Sequence, residues 1–529
     1  MANSLWSWYW ASSSNERHNI FKAAITITVT IVTLFCLLWK LKQLKKLIPP
    51  LPPGPRGLPL VGYLPFLGTF LHKEFTELAQ LYGPIYKLWL GNKLHVVVST
   101  PSLAKEVFRD KDKIFANRDP PIAAKVVTYG GNEISWSSYG PEWSKMRKVF
   151  VREMLSNSNI EACYPMRKHE VEKGIRDVFK KAGDNLSIDF GELVFEITEN
   201  SAIRMLCGGM ITGEKAISSL SEFRKLAGEI MVLIGRPNIF YLFPILARFD
   251  LQGIESQARN VLSRIDEILN SIIEQRLYID GVEEDKSKMR KKDFLQILLD
   301  FNKNGDSETS ITTDQLKAVL LDIMVGGTDT SSTMLEWAMA EIMLHQEVMK
   351  KVYQELDEVV GINNTVEDSH LHKLKYLDAV LKETLRLHPA LPLLLPHVSS
   401  QSTTLGGYTI PKGTAVFVNV YAIHRDPLFW DNPLEFIPER FLISESSKFD
   451  YSGNNFQYLP LGSGRRVCAG IPLAERMVMY VLASFLHSFE WKLPQGTELE
   501  LSDKFGIVVK KMKSLILVPK PRLSNADLY

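Results

Sequence analysis

Residues Gly326-Gly327-Thr328-Asp329-Thr330 combine a gap in a helix surface with side chains able to move protons. They lie inside an apolar periodic run over 313–345, which predicts one helix longer than a globular helix normally is. Thr312 followed by Gln315 reads as its capping box. Each glycine costs about 1 kcal/mol relative to alanine in a helix interior. The gap therefore calls for a use: a groove that admits a small ligand beside Thr330 and Asp329. Near the C-terminus, Pro460-Leu-Gly-Ser-Gly-Arg-Arg-Val-Cys468-Ala-Gly470 surrounds one cysteine with three glycines and two arginines. Taken alone, a single cysteine is more often a small buried hydrophobe than a ligand. Glu383 and Arg386, three apart, share a helical face, as do Trp143 and Arg147, four apart.

Composition narrows the chemistry around these residues. Only Cys36, Cys163, Cys207 and Cys468 occur in 529 residues, and none forms a C-x-x-C pair. That offers neither a structural zinc site nor a dithiol motif, and it suits a reducing compartment. Lys plus Arg number 62 against 60 Asp plus Glu, so nothing points to a nucleic-acid partner. An apolar fraction of 45% and a charged fraction of 23% are those of a packed globular chain.

The elements that must position the candidates read as mostly helical beyond about residue 60. Periodic runs cover 165–181, 255–278, 313–345 and 367–388, and 283–293 reads as a solvated charged loop. The β-branched runs 93–99 and 414–420 predict small sheets. Ahead of this body, residues 23–39 form an uncharged apolar stretch with Lys22 and Lys40 at its ends. It is expected to be a transmembrane signal-anchor, roughly 25 Å long as a helix. Lys40, Lys42, Lys45 and Lys46 follow it, which places the C-terminal side in the cytosol. The expected divisions are a lumenal N-terminus 1–22, the anchor 23–39, a basic and proline-rich hinge 40–59, and a single catalytic domain 60–529.

Several of these motifs together resemble the cytochrome P450 family. The 460–470 loop is similar to the family's haem-binding loop F-x-x-G-x-R-x-C-x-G, with Leu461 in place of the usual Phe. Glu383 and Arg386 match E-x-x-R, Phe436-Ile-Pro-Glu-Arg440-Phe resembles P-E-R-F, Trp143 and Arg147 match W-x-x-x-R, and Gly326–Ser331 resembles the oxygen-activation motif. The resemblance implies a mainly α fold with a small β portion, the cytochrome P450 fold, behind an N-terminal transmembrane helix. It implies haem b (iron protoporphyrin IX) with Cys468 as the axial metal ligand. Trp143, Arg147, His397 and Arg466 are then candidates for the haem propionates, Thr330 and Asp329 are the catalytic pair, and Glu383, Arg386 and Arg440 form a structural network.

The match extends to plant microsomal members, in a subgroup that includes the cadinene hydroxylase of cotton, through stretches such as LPPGPRGLPLVGYLPFLGT and DIMVGGTDTSSTMLEWAMAE. The regions that correspond to the family's substrate contacts carry Pro120, Ile122, Val126, Leu320, Ile323, Met324, Leu393, Leu394, Phe505, Ile507 and Val508. So apolar a lining suits a terpenoid. Lys125, Thr128, Tyr129 and Asn132 in the first of those regions keep a flavonoid or other phenylpropanoid as the alternative. Some relatives on this fold rearrange peroxides or dehydrate oximes, but intact Asp329 and Thr330 favour oxygen activation. No G-x-G-x-x-G unit follows a strand, so NADPH electrons are expected from a separate NADPH–cytochrome P450 reductase in the endoplasmic reticulum membrane. Arg465, Arg147 and Lys148 are offered to it as basic contacts.

Overall fold

In the computed structural model, residues 21–34, 49–208, 214–243, 250–282, 293–305, 310–443, 449–504 and 506–529 are described. The periodic apolar runs fold as helices around two large hydrophobic clusters. In chain order the principal helices are α1 (Leu71–Tyr82), α2 (Ile122–Val127), α3 (Pro141–Lys148), α4 (Tyr164–Gly183), α5 (Phe190–Cys207), α6 (Glu214–Gly235) and α7 (Ile254–Val282). There follow α8 (Phe294–Asn304), α9 (Thr313–Leu344), α10 (Gln346–Val359), α11 (Lys375–Leu387) and α12 (Ile471–Ser488). Helix α9 is buried on nearly every face, and a helix apolar all round belongs at a core's centre. Its N-terminus carries the expected capping box: Thr312 accepts from the Gln315 amide, and the Gln315 side chain accepts from the Thr312 amide.

A four-stranded sheet flanks the helices. It contains β1 (Ile85–Leu90), β2 (Lys93–Val98), β3 (His397–Val398) and β4 (Ala415–Val418) in the order β1-β2-β4-β3. β1 and β2 form a hairpin, β2 runs parallel to β4, and His397 pairs with Val416 across β3 and β4. A second, short hairpin joins β5 (Asp503–Lys504) to β6 (Lys510–Lys511) and lies against α9.

Two expectations change. The run 367–388 is two helices, Asp368–Leu371 and α11, because Glu355 on α10 accepts the amides of Tyr376 and Leu377 at 2.6 and 3.0 Å and starts a new helix there. Asp293 is no solvated loop residue: it caps α8 through the Gln296 amide and pairs with buried Arg276 at 2.8 Å. The rest of that charged stretch, 283–292, lies outside the described residues. From residue 49 onward the prolines of the expected hinge are docked on the body. The carbonyls of Pro50 and Pro53 accept the amides of Thr409 and Lys87, and a Cβ on Gly54 would lie 2.1 Å from the Lys87 carbonyl oxygen.

Residues 21–34 form a helix whose side chains face outward, and Thr26, Thr28, Thr30 and Thr33 each donate to a carbonyl four residues back. Among the described residues no helix is long and apolar enough to cross a membrane. Residues 35–39 of the expected anchor, and 40–48 after it, lie outside the described residues.

Candidate functional site

Helix α9 runs unbroken through its glycine pair, and a Cβ on Gly326 or Gly327 would meet nothing within 4 Å. The glycines therefore open a cleft beside the helix without interrupting it. Thr330 donates its hydroxyl to the Gly326 carbonyl at 2.7 Å. A cavity of about 680 Å³ is lined there by Thr330, Met334, Leu385, Ala390, Leu461 and Ile471, and it continues between α11 and α12 to Asp368 and Arg476. Asp329, next in sequence, leaves the helix in another direction and forms an ion pair with Lys510 on β6.

Cys468 precedes α12. Its amide donates to the Leu461 carbonyl at 3.0 Å, closing the loop. Gly464 holds a φ of +68°, where a Cβ would lie 2.4 Å from the Phe108 carbonyl oxygen, so only glycine fits. Burial raises the Cys468 thiol pKa, while the amides of Gly470 and Ile471 and the Arg147 guanidinium pull it the other way. A thiolate is the ligand form, and these three groups favour it.

The charged residues expected near a macrocycle's carboxylates do gather. Arg466 lies over the Trp143 ring at 4.2 Å and Arg147 at 5.6 Å. Arg466 donates to the carbonyls of Ala116, Ile134 and Ser137, Arg147 to Val467, and Trp143 to Ile134. The His397 Nδ1 lies 2.8 Å from the Phe115 carbonyl oxygen. Sequence reasoning missed Arg118, which donates to Leu395 and Pro396 at 2.5 and 2.7 Å. It lies far from the motifs along the chain, and no periodicity marks it.

Burial and then Arg466 lower Arg118 to about 9, and burial takes Arg466 to about 10. His397 falls well below the usual imidazole range through burial, Arg118 and Arg466. Three guanidinium groups thus crowd together against buried Glu133, with Asp112 also facing Arg466. Such an excess of positive charge fits a dianionic ligand edge. With Cys468 bonded to Leu461 and followed closely by Ile471, both of which line the cleft, the residues present suit a haem with two propionates.

Glu383 and Arg386 are fully buried and joined by two bonds of 2.7 and 2.8 Å, and Arg440 reaches the same carboxylate at 3.1 Å. Arg386 also donates to the carbonyls of His424, Pro433 and Glu435, tying α11 to the segment ahead of the Cys468 loop. Arg386→Met should leave Glu383 buried without its main partner and cost about 3–5 kcal/mol of stability. A denaturant titration checks this through the shift in midpoint.

The expected substrate residues are distributed differently. None of Ile122, Val126, Ile323, Met324, Leu393, Leu394 and Ile507 borders the 680 Å³ cavity. Met324 and Leu320 turn instead toward Ile203, Leu206 and Leu269, and Leu393 packs with Phe75, Tyr86 and Leu88. Ile323 and Val126 are buried in the same cluster as Met324, and Ile122 packs against it. Leu394 sits at φ +52° near Gly462, Ile507 lies beside Gly235, and Phe505 is outside the described residues. Of the basic contacts offered to a reductase, Arg465 pairs with Asp112 at 2.9 Å, and half-buried Arg147 is turned inward to Val467.

The cytochrome P450 family model matches residues 52–518. Carnosic acid synthase of Salvia pomifera is 38% identical over 475 residues, 88% of this chain and 92% of that protein. Flavonoid 3',5'-hydroxylase of Solanum melongena is 36% identical over 476 residues, covering 90% and 91%. Among solved structures, a zebrafish cytochrome P450 with progesterone superposes with a TM-score of 0.71 at 27% identity, covering 85% of this chain and 99% of that one. This chain belongs to the cytochrome P450 family, as a plant monooxygenase that uses haem b and receives electrons from a separate reductase.

Proposed function

We propose that the enzyme hydroxylates a small apolar terpenoid, a sesquiterpene or diterpene, with Cys468 as the residue that would hold the haem iron and Thr330 and Asp329 handling protons. The observation that carries the substrate reading is the state of the polar groups in 119–136. Thr128 donates to the Ala124 carbonyl at 2.7 Å, Tyr129 to Asp266 at 2.9 Å, and Asn132 to the Tyr129 carbonyl at 2.6 Å. Lys125 is exposed. These groups are engaged within the protein or lie in water. A polyphenol would need such groups free to bind its hydroxyls, whereas a hydrocarbon would not. The flavonoid hydroxylases among the relatives favour a second reading, oxidation of a flavonoid or other phenylpropanoid.

Haem bound through a thiolate supplies the cleavage of the O–O bond of dioxygen. Trp143, Arg147, His397 and Arg466, joined by Arg118, would hold its propionates. Gly326 and Gly327 keep side chains out of the space beside α9, and the Thr330 hydroxyl stands at its edge to position a proton donor. Asp329 replenishes that proton from the side facing Lys510. Leu461, Ala390 and Met334 contribute apolar surface to the cleft. In microsomes containing the enzyme and a reductase, a terpene panel is expected to give hydroxylated products. Turnover confined to the flavonoid panel would overturn the terpenoid assignment.

The same reading places residues 23–39 as a single anchor in the endoplasmic reticulum membrane, 1–22 in the lumen, and 60–529 in the cytosol after the 40–59 connector. Threonine hydroxyls that bond within their own helix are compatible with apolar surroundings. Protease added to sealed microsomes should digest the body beyond about residue 50, because the positive-inside rule puts that side in the cytosol. Full protection would reverse the orientation.

A further inference from the structure

We infer that Lys510 is a positioning residue for proton supply: it fixes the direction of the Asp329 carboxylate and forms the solvent-side end of the path to Thr330. The inference rests on the reading of Thr330 and Asp329 as the proton-handling pair. Consecutive helical residues diverge by about 100°. The Thr330 hydroxyl accordingly borders the cleft, while Asp329 points toward β6 and pairs with Lys510. One end of that pair is dry and the other wet: the Asp329 side chain is 12% exposed and that of Lys510 45%. The Lys510 amine also lies 5.9 Å from the Phe195 ring on α5. Lys511 goes elsewhere, donating to the Glu500 carbonyl at 2.6 Å and lying 5.1 Å from the Trp337 ring.

The hairpin does not need the ion pair to stay docked. Val509 donates its amide to the Ala390 carbonyl at 2.9 Å, Trp337 donates to the Val509 carbonyl at 3.3 Å, and the Met512 amide bonds Ser502 at 2.8 Å. Removing the Lys510 amine should therefore free Asp329 while leaving the hairpin in place. Water at the exposed end supplies each proton directly to the carboxylate that Lys510 holds in place, so the ammonium keeps its charge throughout and a guanidinium can replace it.

The test compares Lys510→Met, Lys510→Arg and Thr330→Ala in the full-length enzyme with its reductase, using the panel terpene of highest turnover. Lys510→Met should lower product per NADPH about tenfold, less than losing a proton-transfer group outright. Peroxide should rise and the substrate KM should hold. Product formation should become more sensitive to D2O, and Lys510→Arg should restore coupling. Cumene hydroperoxide, which brings an already reduced oxygen donor, should support undiminished turnover, and amide exchange over 507–512 should not change. If Thr330→Ala uncouples and Lys510→Met does not, Lys510 is a surface ion pair and the inference fails alone. Faster hairpin exchange together with lost hydroperoxide turnover would make its role structural and also overturn it. If neither variant uncouples, the proton-handling pair itself is wrong.

Discussion

Cys468→Ala should abolish the thiolate-type Soret band of the reduced carbonyl complex while leaving a folded protein. The Leu461 carbonyl closes the loop that holds Cys468, and the amides of Gly470 and Ile471 with Arg147 oppose the burial that raises its pKa. Those contacts favour a thiolate, and a bound metal cation favours it further. Among the described residues the other cysteines, Cys163 and Cys207, are buried in apolar packing and raised to about 11 and about 12, so neither can take over. The fold should survive because the Glu383–Arg386–Arg440 contacts and the Leu461 carbonyl bond do not involve the sulfur. The measurement is the carbonyl difference spectrum, with circular dichroism as the control. Persistence of the band in the variant would sink the ligand assignment.

Thr330→Ala should retain the haem, the carbonyl spectrum and substrate binding, since none of these needs the hydroxyl. It should lose product while NADPH oxidation continues, with electrons diverted to hydrogen peroxide. Removing a placed proton-transfer group costs on the order of 10²–10⁴-fold in rate. The local structure isolates the effect. The hydroxyl's protein partner is the Gly326 carbonyl within the same helix, and the space beside the glycines is open, so alanine removes no core contact of consequence. Product per NADPH, measured alongside peroxide, decides the matter. An unchanged ratio would make Thr330 an ordinary helix residue. Product formed under nitrogen without reductase would exclude oxygen activation altogether.

Some of this protein was decided locally and could be read directly. The capping box at Thr312 and Gln315, the long apolar period of α9 and its glycine gap depend on residues a few positions apart. So do the Glu383–Arg386 pair and the tight Cys468 loop, because spacing within one helix or turn dictates which side chains meet. Only the tertiary structure decided which distant groups answer them. Lys510 meets Asp329 across 181 residues, Arg118 meets the carbonyls of Leu395 and Pro396, and Tyr129 is claimed by Asp266 on α7. The break before α11 came from the Glu355 carboxylate on another helix, and Met324 and Leu393 turned from the cleft into interhelical and sheet packing. Periodicity says that a side chain is buried. It does not say against what, because the partner is chosen by the packing of elements far apart in the chain.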